Sequence, residues 1–491
     1  LNIATGDTAF FSGSNNPVIS DTLTLTGSNV AELDNINLLA EGNIANSGSF
    51  ITPNSGEVRM QATTASQEIL GDGNGSFENL ILDNTNGTAG SVQVTMSANQ
   101  RITGTLTLNQ DRLFDIGASR LTLSESASLD AGGGAFGASR MIITNGVASD
   151  LGVRKEYDSA PSFTFQLGTS TDFTPATIEV TDTGGSPGSI TVNPVTSEHP
   201  NVSTGGVSLT YYWSVNASGF GSSPTFTHTY NYVESDVNGT EANYVYGRFD
   251  NDALSWEEGS DAADVNETSN TIGGTNGTGL ENVSFIKGDY TAGDASAFGN
   301  VTIFYSRQDG GWNTQSTWSD VEVGGTEGMG TPGAGDPVVI GDGTTNDTIT
   351  VKSANSALAG NVKLSSGSVL DLQNSTGNDL GSVLEGTGSS GFGRIRQSSG
   401  TLPTADLSDF VASGAGTYEY YRDGADFTIP AGQTTYNNLV ISSTVTGGAA
   451  GTITFPAADL TINNNLQVGR TNNAAALDVF TDATGARTLT V

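Results

Sequence analysis

The sequence predicts an all-β protein in which β-solenoid segments flank one or two β-sandwich modules, with an elongated form. Three observations predict it. Short runs alternate an apolar residue with threonine or another polar residue, as in Thr22-Leu23-Thr24-Leu25, Thr105-Leu106-Thr107-Leu108 and Leu460-Thr461-Ile462. That alternation is the period of a pleated strand and puts Leu and Ile on one face, Thr on the other. Apolar residues spaced i, i+3, i+4 and i+7 do not persist over any useful window, so helices are not expected. Between the runs stand Gly, Asn, Asp and Ser, which supply positive φ or side-chain-capped turns.

From Val58 to Ile143 the runs begin near residues 58, 79, 92, 105, 121 and 141. Intervals of roughly 12 to 21 residues suit the coils of a β-solenoid, although a sandwich with irregular hairpins gives a similar series. Asn is welcome at such corners because it can ladder with Asn in the next coil. Residues 1–148 are therefore assigned to a first solenoid segment. The middle differs in carrying the bulky aromatics, among them Phe163, Phe165, Tyr211, Tyr212, Trp213, Tyr230 and Trp256. The run Phe226-Thr227-His228-Thr229-Tyr230-Asn231-Tyr232 alternates throughout. Large aromatics fill the space between packed sheets, so 149–205 and 206–303 are expected to form two parts of a sandwich region. Residues 304–491 read as a second, truncated solenoid.

A long-range duplication supports that division. Gly56-Glu57-Val58 parallels Gly416-Thr417-Tyr418, Asn79-Leu80-Ile81-Leu82 matches Asn438-Leu439-Val440-Ile441, and Ile102 with Leu106 matches Ile462 with Leu466. The offsets are 416 − 56 = 360, 438 − 79 = 359 and 462 − 102 = 360. A looser match aligns Gly6-Asp7-Thr8 with Gly335-Asp336-Pro337, at 335 − 6 = 329. The chain is expected to be one repeat period and the start of the next, cut from a longer polypeptide.

Two phrases carry a family resemblance. One is Gly416-Thr417-Tyr418-Glu419-Tyr420, then Ile429-Pro430-Ala431-Gly432 and Tyr436-Asn437-Asn438-Leu439. The other is Phe304-Tyr305-Ser306-Arg307, Gly311-Trp312-Asn313 and Thr317-Trp318-Ser319, followed by Gly335-Asp336. Together they resemble segments of giant cell-surface proteins of Bacteroidota, in the style of flavobacterial gliding-motility adhesins. The resemblance implies export by the type IX secretion system and display outside the cell, at its surface. The C-terminal sorting domain of such proteins is not in this sequence, as expected of a fragment.

Composition removes several functions. There are 52 acidic against 17 basic residues, a formal net charge of −35, so nucleic acid would be repelled. Apolar runs reach only four or five residues (Leu80–Leu82 with its neighbours), too short for a membrane span. The absence of Cys removes thiol chemistry, Cys-ligated zinc and disulfides. With His199 and His228 the only histidines, a three-His metal site within the chain is impossible.

Asp250 and Asp252, with Glu257, Glu258, Asp261, Asp264 and Glu267 beyond them, crowd one loop, and Asp236 with Asn238 marks a second oxygen-rich turn. Hard oxygens at alternating positions suit calcium, the one cofactor considered, but neither run completes a recognised calcium loop; a solvated acidic loop is favoured. Arg101, Arg112, Arg120, Arg140, Arg154 and Lys155 are expected mostly at solvated strand ends, which argues against a lyase acting on acidic sugars. Neither histidine stands beside a nucleophile pattern. The tryptophans Trp213, Trp256, Trp312 and Trp318 are more at home as packing than as sugar platforms, the last two closing the first coil of the second solenoid. Asp-Thr or Asp-Ser followed by a small or aliphatic residue, the O-glycosylation triplet of Bacteroidota, places candidate acceptors at Thr8, Thr22, Ser159 and Thr348.

The expected function is a non-enzymatic stalk or adhesin segment giving mechanical reach. Its expected partners are neighbouring repeats of the same polypeptide and the secretion and anchoring machinery, with no nucleic acid. The rival reading is a secreted β-helix protein that binds or degrades surface polysaccharide.

Overall fold

The computed structural model describes the chain apart from residues 1, 4–7, 14, 28, 53, 55, 160, 171, 204, 260–263, 274–279, 300, 329, 387–392, 408–409, 412–415, 424, 444–450, 457–459, 470–476, 481–488 and 491. Strands make up about 49 % of the chain, no α-helix is present among the described residues, and β-solenoid winding amounts to about 18 turns. The all-β, solenoid-forming reading therefore holds. Two compact units divide the chain, Leu1–Gly299 and Asn300–Val491.

The first unit winds parallel strands onto three faces. One face begins with Asn2–Ile3, Leu23–Leu25 and Ile44–Asn46; the second with Thr8–Ser12, Val30–Asp34 and Ser49–Ile51; the third with Val18–Ile19, Asn37–Ala40 and Glu57–Met60. The alternation that defines the strands also builds the interior. On the third face Leu38, Val58, Leu80, Leu106 and Leu129 are successive register partners, one per coil. On the second, Phe50, Phe77, Ile102 and Leu123 form another such column, and the Phe50 and Phe77 rings stack at 5.2 Å. Burying an aliphatic side chain of this size is worth about 1.5–3 kcal/mol, and each column repeats that gain once per coil.

Corners must let one coil lie against the last. At Gly56 a Cβ would stand 2.1 Å from the Leu33 carbonyl oxygen, so only glycine fits there. Buried amides join the coils: Asn46 Nδ2 donates to Gln100 Oε1 at 3.2 Å, and Gln67 Nε2 donates to the Ala40 and Gly42 carbonyls. The expected Asn–Asn ladder occurs in the second unit, where Asn464 Nδ2 donates to Asn438 Oδ1 at 2.9 Å.

The middle of the chain departs from the expected modules. After Val153–Tyr157 the second face continues as an antiparallel sheet through Gly188–Val195, Tyr212–Ser218, Gly288–Asp294, Tyr244–Asp250 and Ser255–Glu258. A separate five-stranded antiparallel sheet contains Ser162–Phe165, Ala176–Asp182 and Thr225–Asn231. Aromatic rings join the two sheets, with Trp213 and Tyr290 lying 5.3 and 4.8 Å from Tyr230. The expected divisions at 148/149 and 205/206 both fall inside the first compact unit. Strands on either side of the latter pair from Ser189↔Ser218 to Val195↔Tyr212, and one buried core runs from Leu23 to Ala292.

In the second unit an eight-stranded parallel sheet runs from Gly310–Gly311 through Thr348–Thr350, Val369–Gln373, Arg394–Gln397, Thr417–Arg422, Thr435–Ser443 and Leu460–Val468 to Leu489–Thr490. Its inward column is Ile349, Leu370, Ile395, Tyr418, Leu439 and Leu466. Trp312 and Trp318 are fully buried at the first coil, 5.3 Å apart, with the Trp318 indole N–H donated to the Trp312 carbonyl. The duplication seen in sequence is reproduced in register. Val58, Leu80 and Leu106 are consecutive partners in the first unit, and their counterparts Tyr418, Leu439 and Leu466 are consecutive partners in the second.

Equivalent positions should therefore respond alike. Leu80→Ala and Leu439→Ala each remove a fully buried side chain from a column and should each cost about 2–5 kcal/mol by urea denaturation. A loss at one site without a comparable loss at the other would show that the two columns are not equivalent.

Candidate functional site

Arg248 organises the described start of the acidic loop, at Asp250 and Glu257. Asp250 Oδ1 accepts the backbone N–H groups of Asp252 and Ala253 at 2.7 and 2.9 Å, while Oδ2 accepts from Arg248 at 3.1 Å. Burial raises the Asp250 pKa, but those N–H groups and the Arg248 charge outweigh it and hold the carboxyl below its ordinary value. Arg248 also pairs with Glu257 at 2.7 Å, and Lys287 lies 3.5 Å from Asp252. Asp261 lies outside the described residues.

Asp236 closes the short 3-10 turn Glu234–Asp236 and is buried. One of its oxygens accepts the Thr210 hydroxyl at 3.3 Å; the other, Oδ2, has no described partner. Burial first, and then the Asp172 charge, push its pKa up to about 6. Asn238 is exposed and engages Tyr244 through its backbone. Among the described residues no group of three or more His, Asp or Glu side chains is placed to hold a metal ion.

Both histidines are buried. His199 Nδ1 accepts the Asn201 N–H at 3.2 Å, so its other nitrogen carries the proton and faces Asp289 Oδ2 at 3.2 Å. Tyr212, Phe249 and Trp256 enclose the ring. His228 lies between the two antiparallel sheets with Nδ1 3.1 Å from the Tyr230 hydroxyl and Nε2 without a described partner. Burial, aided by the Arg248 charge, pushes its pKa down to about 3. Trp256 is half-buried, its indole N–H donated to the Asn201 carbonyl and its ring 4.7 Å from Phe298, while Trp213 is fully buried.

The acceptor candidates differ in exposure. Thr8, Thr22 and Ser159 are exposed, although Asp7, which precedes Thr8, lies outside the described residues. Thr348 is half-buried within the strand Thr348–Thr350, and Asp347 beside it is buried and accepts the Ser306 hydroxyl at 2.6 Å.

Two of the cations expected in solvent are buried instead. Arg140 pairs with Asp111 and caps the Gln110 carbonyl. Lys155 points inward, and its ammonium donates to the Ser124 and Glu125 carbonyls at 2.6 and 2.5 Å, with the Phe163 ring centre 5.4 Å away. Burial pushes its pKa down against the pull of Glu125, Glu156 and Asp158. The signal was in the sequence: in Val153-Arg154-Lys155-Glu156-Tyr157, alternation puts Lys155 on the side of Val153 and Tyr157. Lys155 lines a cleft of about 360 Å3 together with Ala127, Leu129, Pro161 and Phe163.

Compared with known proteins, the chain matches no family model, no curated protein and no solved structure. The geometry itself defines a class, a two-unit β-solenoid protein whose first unit ends in antiparallel sheets.

Below pH 6.5 the unfolded chain takes up a proton that folded His228 refuses, so its contribution to stability is complete above 6.5 and falls by about 1.4 kcal/mol per pH unit towards 3. Asp236 acts in the opposite sense, its proton uptake on the folded chain favouring folding as pH drops from about 6 to its unfolded value. His228→Leu should flatten the acid limb of stability against pH, and an unchanged slope would remove His228 as its source. Millimolar calcium should leave the thermal transition unmoved, because Asp250 is already held by Arg248 and two backbone N–H groups; a clear upward shift would restore the metal reading.

Proposed function

We propose that the chain is a non-enzymatic structural segment of a large cell-surface protein, giving mechanical reach for attachment or gliding. One observation carries this reading: the groups suited to chemistry are built into the scaffold. Both His199 nitrogens are taken up by Asn201 and Asp289, His228 is sealed between sheets, and Arg59, Arg101, Arg140, Arg248 and Arg394 each pair with a carboxylate. The coils supply the complementary property. Each unit stacks hydrogen-bonded strands in register, so load along a stack is shared by many backbone bonds.

In this reading the protein works outside the cell, beside further repeats of the same polypeptide and the machinery that exports and anchors it. The exposed Thr8, Thr22 and Ser159 are its places for O-glycans.

Pulling the 491-residue chain from its two ends in a force spectrometer tests the proposal. Resolved unfolding peaks are expected, with no release of reducing ends when the same preparation is incubated with neutral or acidic polysaccharides. Release of reducing ends from any of them, lost on denaturation, would replace the stalk by a polysaccharide-degrading protein. Extension without a resolved peak would remove the mechanical role.

A further inference from the structure

The third face of the first unit stops one strand short of the parallel ladder of the second face and two short of that of the first. Its ladder ends at Ser128–Asp130, among the described residues an edge strand. The first face goes on to Ile142–Thr144 and Leu167–Thr169, and the second to Val153–Tyr157. The segment due to form the next strand of the third face, Ser162–Phe165, pairs antiparallel with Ala176–Asp182 in another sheet, of which it is itself an edge. The 360 Å3 cleft lies where that strand is missing, lined on one side by Ser128 and Leu129 and on the other by Ser162, Phe163 and Thr164.

We infer that this slot is a strand-addition site for an extended peptide segment with an acidic residue two positions before an apolar one. Four features fit that occupant. The Ser128 N–H is donated back to Gly104, so the alternation of a parallel ladder leaves the Leu129 N–H and C=O for the next strand. Leu129 ends the column Leu38, Val58, Leu80, Leu106 and, unlike those four, is only partly buried; an apolar residue above it continues the stripe. Lys155 is buried with no described carboxylate within ion-pair distance, and two of its three N–H donors reach the carbonyls of Ser124 and Glu125. Those carbonyls stand at the corner just before Ser128–Asp130, so a parallel strand would bring the acidic residue to Lys155 ahead of the apolar residue at Leu129. Glu125, which also lines the cleft, Glu156 and Asp158 act on Lys155 from beyond ion-pair distance, so its ammonium still has room for a direct carboxylate partner.

The test uses the full chain and the peptide acetyl-TDTLT-amide, with acetyl-TNTLT-amide as its uncharged match. The acidic peptide should bind about tenfold more tightly than the amide form, as one charge-assisted contact predicts. Saturation with it should slow hydrogen exchange at the Leu129 amide. Lys155→Met should erase the difference between the two peptides. If that variant fails to fold, Leu129→Ser should weaken both peptides while keeping their ratio. Equal binding of the two peptides to the wild type, or unchanged exchange at Leu129, would overturn the inference. So would digalacturonate binding in the cleft while neither peptide binds, which would make it a saccharide site.

Discussion

The constraint on which both units depend is coil-to-coil register. A strand's side chains alternate with a period of two, so a slip of one residue would turn Val58, Leu80 and Leu106 outward and bring their polar neighbours in. Register is held from two directions. The inward columns reward it once per coil, and corners such as Gly56 allow it by letting the chain touch the carbonyl of the coil before. Neither suffices alone: a column without close corners leaves the ladder bonds unmade, and close corners without a column leave its strands free to slide.

Register also accounts for the composition. Outward positions need only polarity, which Thr, Ser and Asn supply without the side-chain entropy that Lys and Glu lose on ordering. Inward polar residues are confined to places where a neighbouring coil offers a partner, as Gln67 does in bonding the Ala40 and Gly42 carbonyls. Few cations are required, because among the described residues the only buried acidic ones are Asp150, Asp236, Asp264, Asp289, Asp347 and Glu419. The charge of −35 is thus a surface property with little bearing on the core.

What could be read from the sequence follows the same line. Alternation gave away the strands because Leu and Thr carry the period locally, and the offsets of 359 and 360 marked equivalent columns because Leu80 and Leu439 serve the same purpose. The expected boundary at 303/304 lies near the division between the two units, whereas those at 148/149 and 205/206 fall inside the first unit, because pairing partners are not local. Nothing in Val153–Tyr157 announces that its next neighbour will be the antiparallel Gly188–Val195. The partner of Asp250 is likewise set by the fold. Asp250 looks available for calcium until the fold turns Arg248, two residues away along the strand, onto the same carboxylate. Lys155 was legible through the alternation of its strand, whereas its lack of a carboxylate partner depends on where the Ser124 corner lies in the coil beneath.

The change from parallel winding to antiparallel sheets explains the placement of the aromatics. A three-faced coil closes on itself, and Leu, Val and Ile from three sides fill its interior. Once Ser162–Phe165 leaves the third face, that closure is lost and two open sheets must cover one another. Facing sheets stand about 10 Å apart, a gap that aliphatic side chains fill only by close interdigitation. Trp213, Tyr230 and Tyr290 span it directly, with ring contacts of 5.3 and 4.8 Å. In the first unit the Trp213, Tyr230 and Tyr290 cluster therefore stands where the third wall is lost, whereas the parallel coils take rings one by one in register, as at Phe50 and Phe77.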